Sequence, residues 1–177
     1  MPEAIDLQAE TAALVAVQNR LAGPTVVAAA RLMSHFGEHA AGWMALSAGG
    51  ALAARGHRRD WLLVGLGAVA AHAAAIAVKM IVRRRRPSHR DVVVNVATPS
   101  DLSFPSAHAT SSTAAAVLLC RATRSPLPLI LVPLMALSRL VLGVHYPTDV
   151  LAGIGIGAGV AGIVDRVSNG AGGLRSE

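Results

Sequence analysis

The sequence predicts an all-α protein, a polytopic membrane bundle of about six helices, and three observations lead there. Hydrophobic residues make up 53% of the 177, and the mean hydropathy of +0.51 exceeds what water-soluble domains carry. Apolar runs near the length a hydrocarbon core requires recur at 21–36, 39–56, 61–82, 105–122, 126–143 and 147–164. The charged residues gather between those runs rather than within them.

Ahead of the first run, Glu3, Asp6 and Glu10 stand where a secretory signal would carry basic residues, so no cleavable leader is expected. Residues 1–20 are instead expected to form an amphipathic segment on the bilayer surface, with Ile5, Leu7, Ala12 and Leu14 on its apolar side. Residues 21–166 form the expected transmembrane domain, and 167–177 a flexible carboxyl-terminal tail. Trp43, Trp61 and Tyr146 fall near span ends, where amphipathic rings settle. The spans are rich in Ala and Gly, which permits close helix contact where lipid supplies no hydrophobic drive. Gly153 with Gly157, and Gly155 with Gly159, are expected to make such a contact. The same stretch, Gly157 to Gly162, fits G-x-G-x-x-G, but it lies inside an apolar span with no strand before it, so no dinucleotide is expected. His72 is expected to hydrogen-bond between helices. The single cysteine, Cys120, excludes an internal disulfide. The net charge of +6 is distributed between spans rather than on a soluble face, which excludes nucleic acid as a partner.

With six spans and the amino terminus on side one, the connections at 35–39, 83–104 and 144–147 fall on side two. Two polar segments far apart in sequence, Lys79 to His108 and Arg139 to Asp149, then share one membrane face. Three motifs lie within them, and the first, KMIVRRRRP, holds the only lysine in the chain. Alone, this run could be a membrane-flanking anchor with Lys79 snorkelling to the surface. The second, FPSAHATSS, places Pro105 in the first turn of a helix, with Ser106, Ala107 and His108 at an amide-rich, positive end that attracts anions. His108 alone could be a structural histidine bonded to a neighbouring hydroxyl. The third, SRLVLGVHYPTD, places Ser138 and Arg139 in an apolar helix, His145 at its end and Asp149 four residues on. A carboxylate near an imidazole fixes its tautomer and supports its protonated form. Asp149 alone could equally serve the first turn of a helix. Together, one lysine, two arginines, a hydroxyl and a helix amino terminus around two histidines are the inventory for holding a phosphate and attacking it.

The spacings K-x6-R-P at Lys79 to Pro87, P-S-x-H at Pro105 to His108 and S-R-x5-H-x3-D at Ser138 to Asp149 resemble the three-part signature of the type 2 phosphatidic acid phosphatase (PAP2) superfamily. The resemblance implies a metal-independent phosphatase without cofactor. His145 would be its nucleophile, forming a phosphohistidine, His108 its general acid and Asp149 the residue that orients His145. Lys79, Arg86, Ser106, Arg139 and the amides around Ala107 would hold the phosphoryl oxygens. Ala107 departs from the glycine usual there, which a helical backbone tolerates. SHFGEHAAGW, RRRRP and VNVATPSDLSFPSAHATS further resemble the branch that dephosphorylates a polyprenyl-linked phosphoribose for actinobacterial cell-wall arabinan. That similarity implies a phosphorylated polyprenyl lipid as substrate and the multi-pass plasma membrane as location. Glu38, counted on side two, is an expected contact for the sugar hydroxyls, with a solvated interhelical turn as the alternative. A polyprenyl pyrophosphate or phosphatidylglycerophosphate phosphatase shares every catalytic residue, and a lipid-phosphate transporter could use the same basic pocket. His35 and His39, four apart with no third ligand, make no metal site.

Overall fold

The computed structural model describes residues 7–173. Residues 1–6 of the expected amino-terminal segment and 174–177 of the expected tail lie outside the described residues. Among the described residues seven α-helices follow in order: α1 (Leu7–Leu21), α2 (Pro24–Gly37), α3 (Ala41–Ala53), α4 (Arg58–Val82), α5 (Ala107–Thr123), α6 (Leu131–Val141) and α7 (Pro147–Gly173). All six expected apolar runs are helical. Two helical stretches, Arg55–Val82 and Pro147–Gly170, are long and apolar enough to cross a bilayer alone. The helix of α7 continues beyond residue 166, the expected boundary, to Gly173.

The core lies where α3, α4, α5 and α7 meet. Ala68 and Ala71 of α4 face Ala114, Ala115 and Leu118 of α5, with Trp43 and Ala161 completing the cluster. Small side chains bring these backbones together, and the α5–α7 contact shows how. A methyl group on Gly153 would stand 2.8 Å from the Ser106 carbonyl oxygen, and one on Gly157 only 2.3 Å from that of Thr110. The expected pairing of Gly155 with Gly159 does not occur, because both face open space on the other side of the helix. Trp43 departs from its expected place at a span end: it is buried in the core and donates its indole N–H to Ser112 Oγ at 3.1 Å. At the end of the bundle away from the long 83–106 loop, Arg121 pairs with Asp60 at 2.9 Å and with Asp165, tying α4, α5 and α7.

The connection at 38–40 is not at the bundle end where the span count put it. Arg31 of α2 donates to the Asn95 carbonyl, level with the end of α4. Ser47 of α3 donates to the Trp61 carbonyl near the start of α4. Between them His39 and Ala40 take left-handed backbone conformations, φ 50° and 59°. The His39 ring lies 5.9 Å from that of His72, mid-way along α4. Thus α2 and α3 follow one another along the length of α4. At 14 and 13 residues each is about 20 Å long, short of the roughly 30 Å of a hydrocarbon core. The amino-terminal helix also lies at the end that carries the 83–106 loop. There α1 lies against α6 and α7, with the Gln18 amide donating to the Val93 and Val141 carbonyls.

Candidate active site

Helix α4 delivers Lys79 near its end, and Arg83, left-handed at φ 54°, stops it. The chain then runs extended, with Arg85 bridged to Leu102, the Ser103 amide bonded to the Arg84 carbonyl and the Arg86 amide to that of Asp101. Side chains alternate across extended backbone. Arg84 and Arg86 therefore turn inward and are partly buried, while Arg85 stays exposed. Pro105 precedes the first turn of α5 rather than opening it. Ser106 is the N-cap, its hydroxyl accepting from the Ala109 amide at 3.4 Å, so Ala107 and His108 hold the first helical positions, where amides lack helical partners. Ala107 is helical, as the tolerance of its methyl group requires.

Three cations converge here, and their partners are all neutral. Lys79 Nζ donates to the carbonyls of Leu102 at 3.0 Å and Pro105 at 3.1 Å. Arg86 donates to the Ser100 carbonyl at 2.8 Å and the Val144 carbonyl at 2.7 Å. Arg139, only 2% exposed, bonds the hydroxyls of Ser34 and Ser138, each at 3.1 Å, and its Nη2 is buried without a partner among the described residues. Buried charge of one sign, unneutralised by any carboxylate on these three groups, is costly unless an anion joins it.

Lys79, Arg86, Ala107, His108, Arg139 and His145 all line one cavity of about 530 Å³. Another part of its wall is a stripe of α2, with Arg31, Ser34 and His35, and Glu38 just past the helix end. Ser106 and Asp149 stand one layer behind the wall. The two imidazoles share the cavity, as the motif reading requires.

The hydrogen bonds assign their protons. Arg86 Nη1 lies 3.3 Å from His145 Nε2, and a guanidinium can only donate, so Nε2 presents its lone pair. The proton sits on Nδ1, which faces Asp149 Oδ2 at 3.6 Å. Burial pushes the His145 imidazole down to about 4, against the opposing pull of Asp149. Asp149 Oδ2 also accepts from the Tyr146 amide at 2.8 Å. His108 Nε2 donates to the Ser34 carbonyl at 3.0 Å, which leaves Nδ1 as the nitrogen not held by α2. Gly37 permits that approach, since a methyl group there would stand 2.7 Å from His108 Cδ2.

Motif reading missed three residues. Ser34 holds both Arg139 and His108 from α2. His72 lines the cavity with its Nδ1 unpartnered, rather than bonding between helices as expected; it lies two turns before Lys79 on the same face, a spacing visible in the sequence. Arg84 bonds Asp149 Oδ1 at 2.9 Å, and the alternation that sends Arg86 inward sends it there too. Glu38 lines the cavity, with the His35 ring at 3.6 Å.

The sequence profile of the PAP2 superfamily matches residues 60–171, which include all three motifs. The chain belongs to the PAP2 superfamily. Similar to it is the decaprenylphosphoryl-5-phosphoribose phosphatase of Mycolicibacterium smegmatis, 68% identical over 145 residues, 81% of each chain. The protein of that name from Mycobacterium tuberculosis H37Rv is 57% identical over 162 residues, 91% of this chain and 92% of the relative. The crystal structure of a transmembrane PAP2-type phosphatidylglycerolphosphate phosphatase from Bacillus subtilis shares the PAP2 fold, with a TM-score of 0.71 at 22% identity over 93% of this chain and 89% of that one.

Proposed function

We propose that this PAP2 phosphatase removes the 5-phosphate of a polyprenylphosphoryl-5-phosphoribose, the decaprenyl lipid of cell-wall arabinan synthesis, as a multi-pass enzyme of the plasma membrane. The observation that carries the reading is the group of three buried or partly buried cations held only by neutral acceptors, with Arg139 Nη2 unpartnered among the described residues beside two histidines. The likeness to relatives of that name, over most of both chains, favours this lipid.

In the reaction His145 Nε2 attacks phosphorus while the bond from phosphorus to the ribose 5-oxygen breaks. His108, which takes up a proton on Nδ1 as the phosphate dianion binds beside it, delivers that proton to the oxygen, and Asp149 supports the positive charge that grows on the His145 ring. Lys79, Arg86, Arg139 and the amides of Ala107 and His108 spread over the phosphoryl oxygens, which carry the charge of a loose transition state. Ser106 acts through α5, holding those amides in place. Water, deprotonated by His108, then cleaves the phosphorus–nitrogen bond and frees phosphate. The lipid carries a second phosphate, the diester to its prenyl chain. Arg31 lies one turn, about 5 Å, from Ser34 on the cavity face of α2 and forms no ion pair among the described residues, so it receives that diester. Glu38, one turn the other way, faces the sugar hydroxyls.

The test is phosphate release from a panel of defined lipids: polyprenylphosphoryl-5-phosphoribose, polyprenyl pyrophosphate and phosphatidylglycerophosphate. Wild type turns over the first with the highest kcat/KM, and His145→Ala releases nothing while still binding lipid. Preference for either of the other two overturns the substrate. Release by His145→Ala, or none by wild type from any lipid, overturns the mechanism, the second outcome favouring a transporter.

A further inference from the structure

Helix α1 lies outside the residues that the superfamily profile matches, yet its Glu10 is only 8% exposed and reaches the wall behind the nucleophile. Glu10 Oε1 accepts from the Thr148 amide at 3.0 Å and from its hydroxyl at 2.5 Å, and Oε2 pairs with Arg84 Nη2. The other arm of that guanidinium, Nη1, reaches Thr148 Oγ1 at 2.7 Å and Asp149 Oδ1 at 2.9 Å. Tyr146 stacks beneath it, 4.1 Å from the guanidinium carbon to the ring centroid. Both carboxylate oxygens of Glu10 and both of Asp149 are engaged.

We infer that Glu10 and Arg84 are positioning residues for the His145–Asp149 pair, which makes the amino-terminal helix a working part of the active site. The inference rests on His145 being the nucleophile. Two effects combine. Geometrically, Arg84 fixes Asp149 through Oδ1, so that Oδ2 keeps its place toward His145 Nδ1. Glu10 meanwhile pins Thr148, the residue before Asp149 in the first turn of α7. Electrostatically, Asp149 beside Arg84 alone would be a neutral pair with little field left for the imidazole. Glu10 cancels Arg84, so the cluster keeps one net negative charge behind the ring as positive charge grows on it. In a buried site that charge acts at full strength, because little solvent screens it.

Glu10→Gln isolates the electrostatic part, since the amide oxygen can still accept from Thr148. It is expected to lower kcat roughly tenfold, the scale at which partners one layer behind a reacting group matter, with KM unchanged. Combined with Asp149→Asn it is expected to add nothing to the loss caused by Asp149→Asn alone. Gln18→Ala loosens α1 at a site away from Arg84, and is expected to lower the melting temperature while leaving kcat at the wild-type value. The inference is overturned by a Glu10→Gln enzyme with wild-type kcat, by additive losses in the double variant, or by a Gln18→Ala loss as large as that of Glu10→Gln. Should Glu10→Gln not fold, Thr148→Val, which removes the hydroxyl shared by Glu10 and Arg84, must give the same kcat loss at constant KM. Activity in His145→Ala would instead defeat the functional reading beneath it; an inactive His145→Ala beside an unimpaired Glu10→Gln defeats only this inference.

Discussion

Arg84 and Arg86 are two residues apart, on the same face of the same extended segment, and both are partly buried, but their surroundings differ in charge. Arg84 is ringed by carboxylates, Glu10 on one arm and Asp149 on the other. Arg86 is held by the carbonyls of Ser100 and Val144 and by a histidine nitrogen. Carbonyl and hydroxyl dipoles orient a cation without neutralising it, so the charge of Arg86 stays unpaired, as do those of Lys79 and Arg139, the three groups proposed to hold the phosphoryl oxygens. Arg84 has spent its charge inside the protein. What separates a structural cation from a binding one is therefore the charge of its partners, not its depth.

The largest expected effect sharpens this contrast. Arg86→Gln is expected to lower kcat by roughly 10²–10³, the usual loss for one preorganised donor, while stability stays within about 1 kcal/mol of wild type because relief of buried charge offsets the lost hydrogen bonds. Arg84→Gln strands two buried carboxylates and is expected to destabilise by about 3–5 kcal/mol. Thermal unfolding beside steady-state kinetics separates the two; equal stability losses would break the comparison. A smaller effect is expected at Arg31. Arg31→Gln raises KM several-fold for the polyprenyl substrate, whose second phosphate it meets, and leaves KM for a soluble monophosphate such as ribose 5-phosphate unchanged. Equal changes on both would remove Arg31 from diester binding. The smallest belongs to Arg85, which points outward between the other two: Arg85→Ala is expected to leave both kcat and stability unchanged.

Much of the site was legible in the sequence because motif spacing reports local geometry. Lys79 near a helix end, a helix start beside His108 and Asp149 in the first turn of α7 each follow from a few neighbouring residues, whereas Ser106 as the cap was not read because Pro105 was expected to open the helix. Global placement was harder. Counting spans put the break at 38–40 at a bundle end, because from sequence it looks the same whether it ends a span or interrupts one; only the length of each half carried the difference. That error put the amino terminus at the far end of the bundle and hid Glu10 from the site. Arg84 was hidden for a local reason: four arginines in a row have no visible pattern until the backbone is known to leave the helix at Arg83 and alternate. Ser34 and His72 reach the cavity by long-range packing that no motif encodes, although the seven-residue step from His72 to Lys79 was there to be counted.

The central claim is that carbonyl-held cations deliver a phosphoryl group to His145 Nε2. Rapid quenching of the enzyme with polyprenylphosphoryl-5-[³²P]phosphoribose tests it most directly. A label that is stable to base, labile to acid and mapped to the peptide containing His145, absent from His145→Ala and reduced in Arg86→Gln, is the predicted result. Turnover by wild type with no label on that peptide, or label retained in His145→Ala, would contradict it.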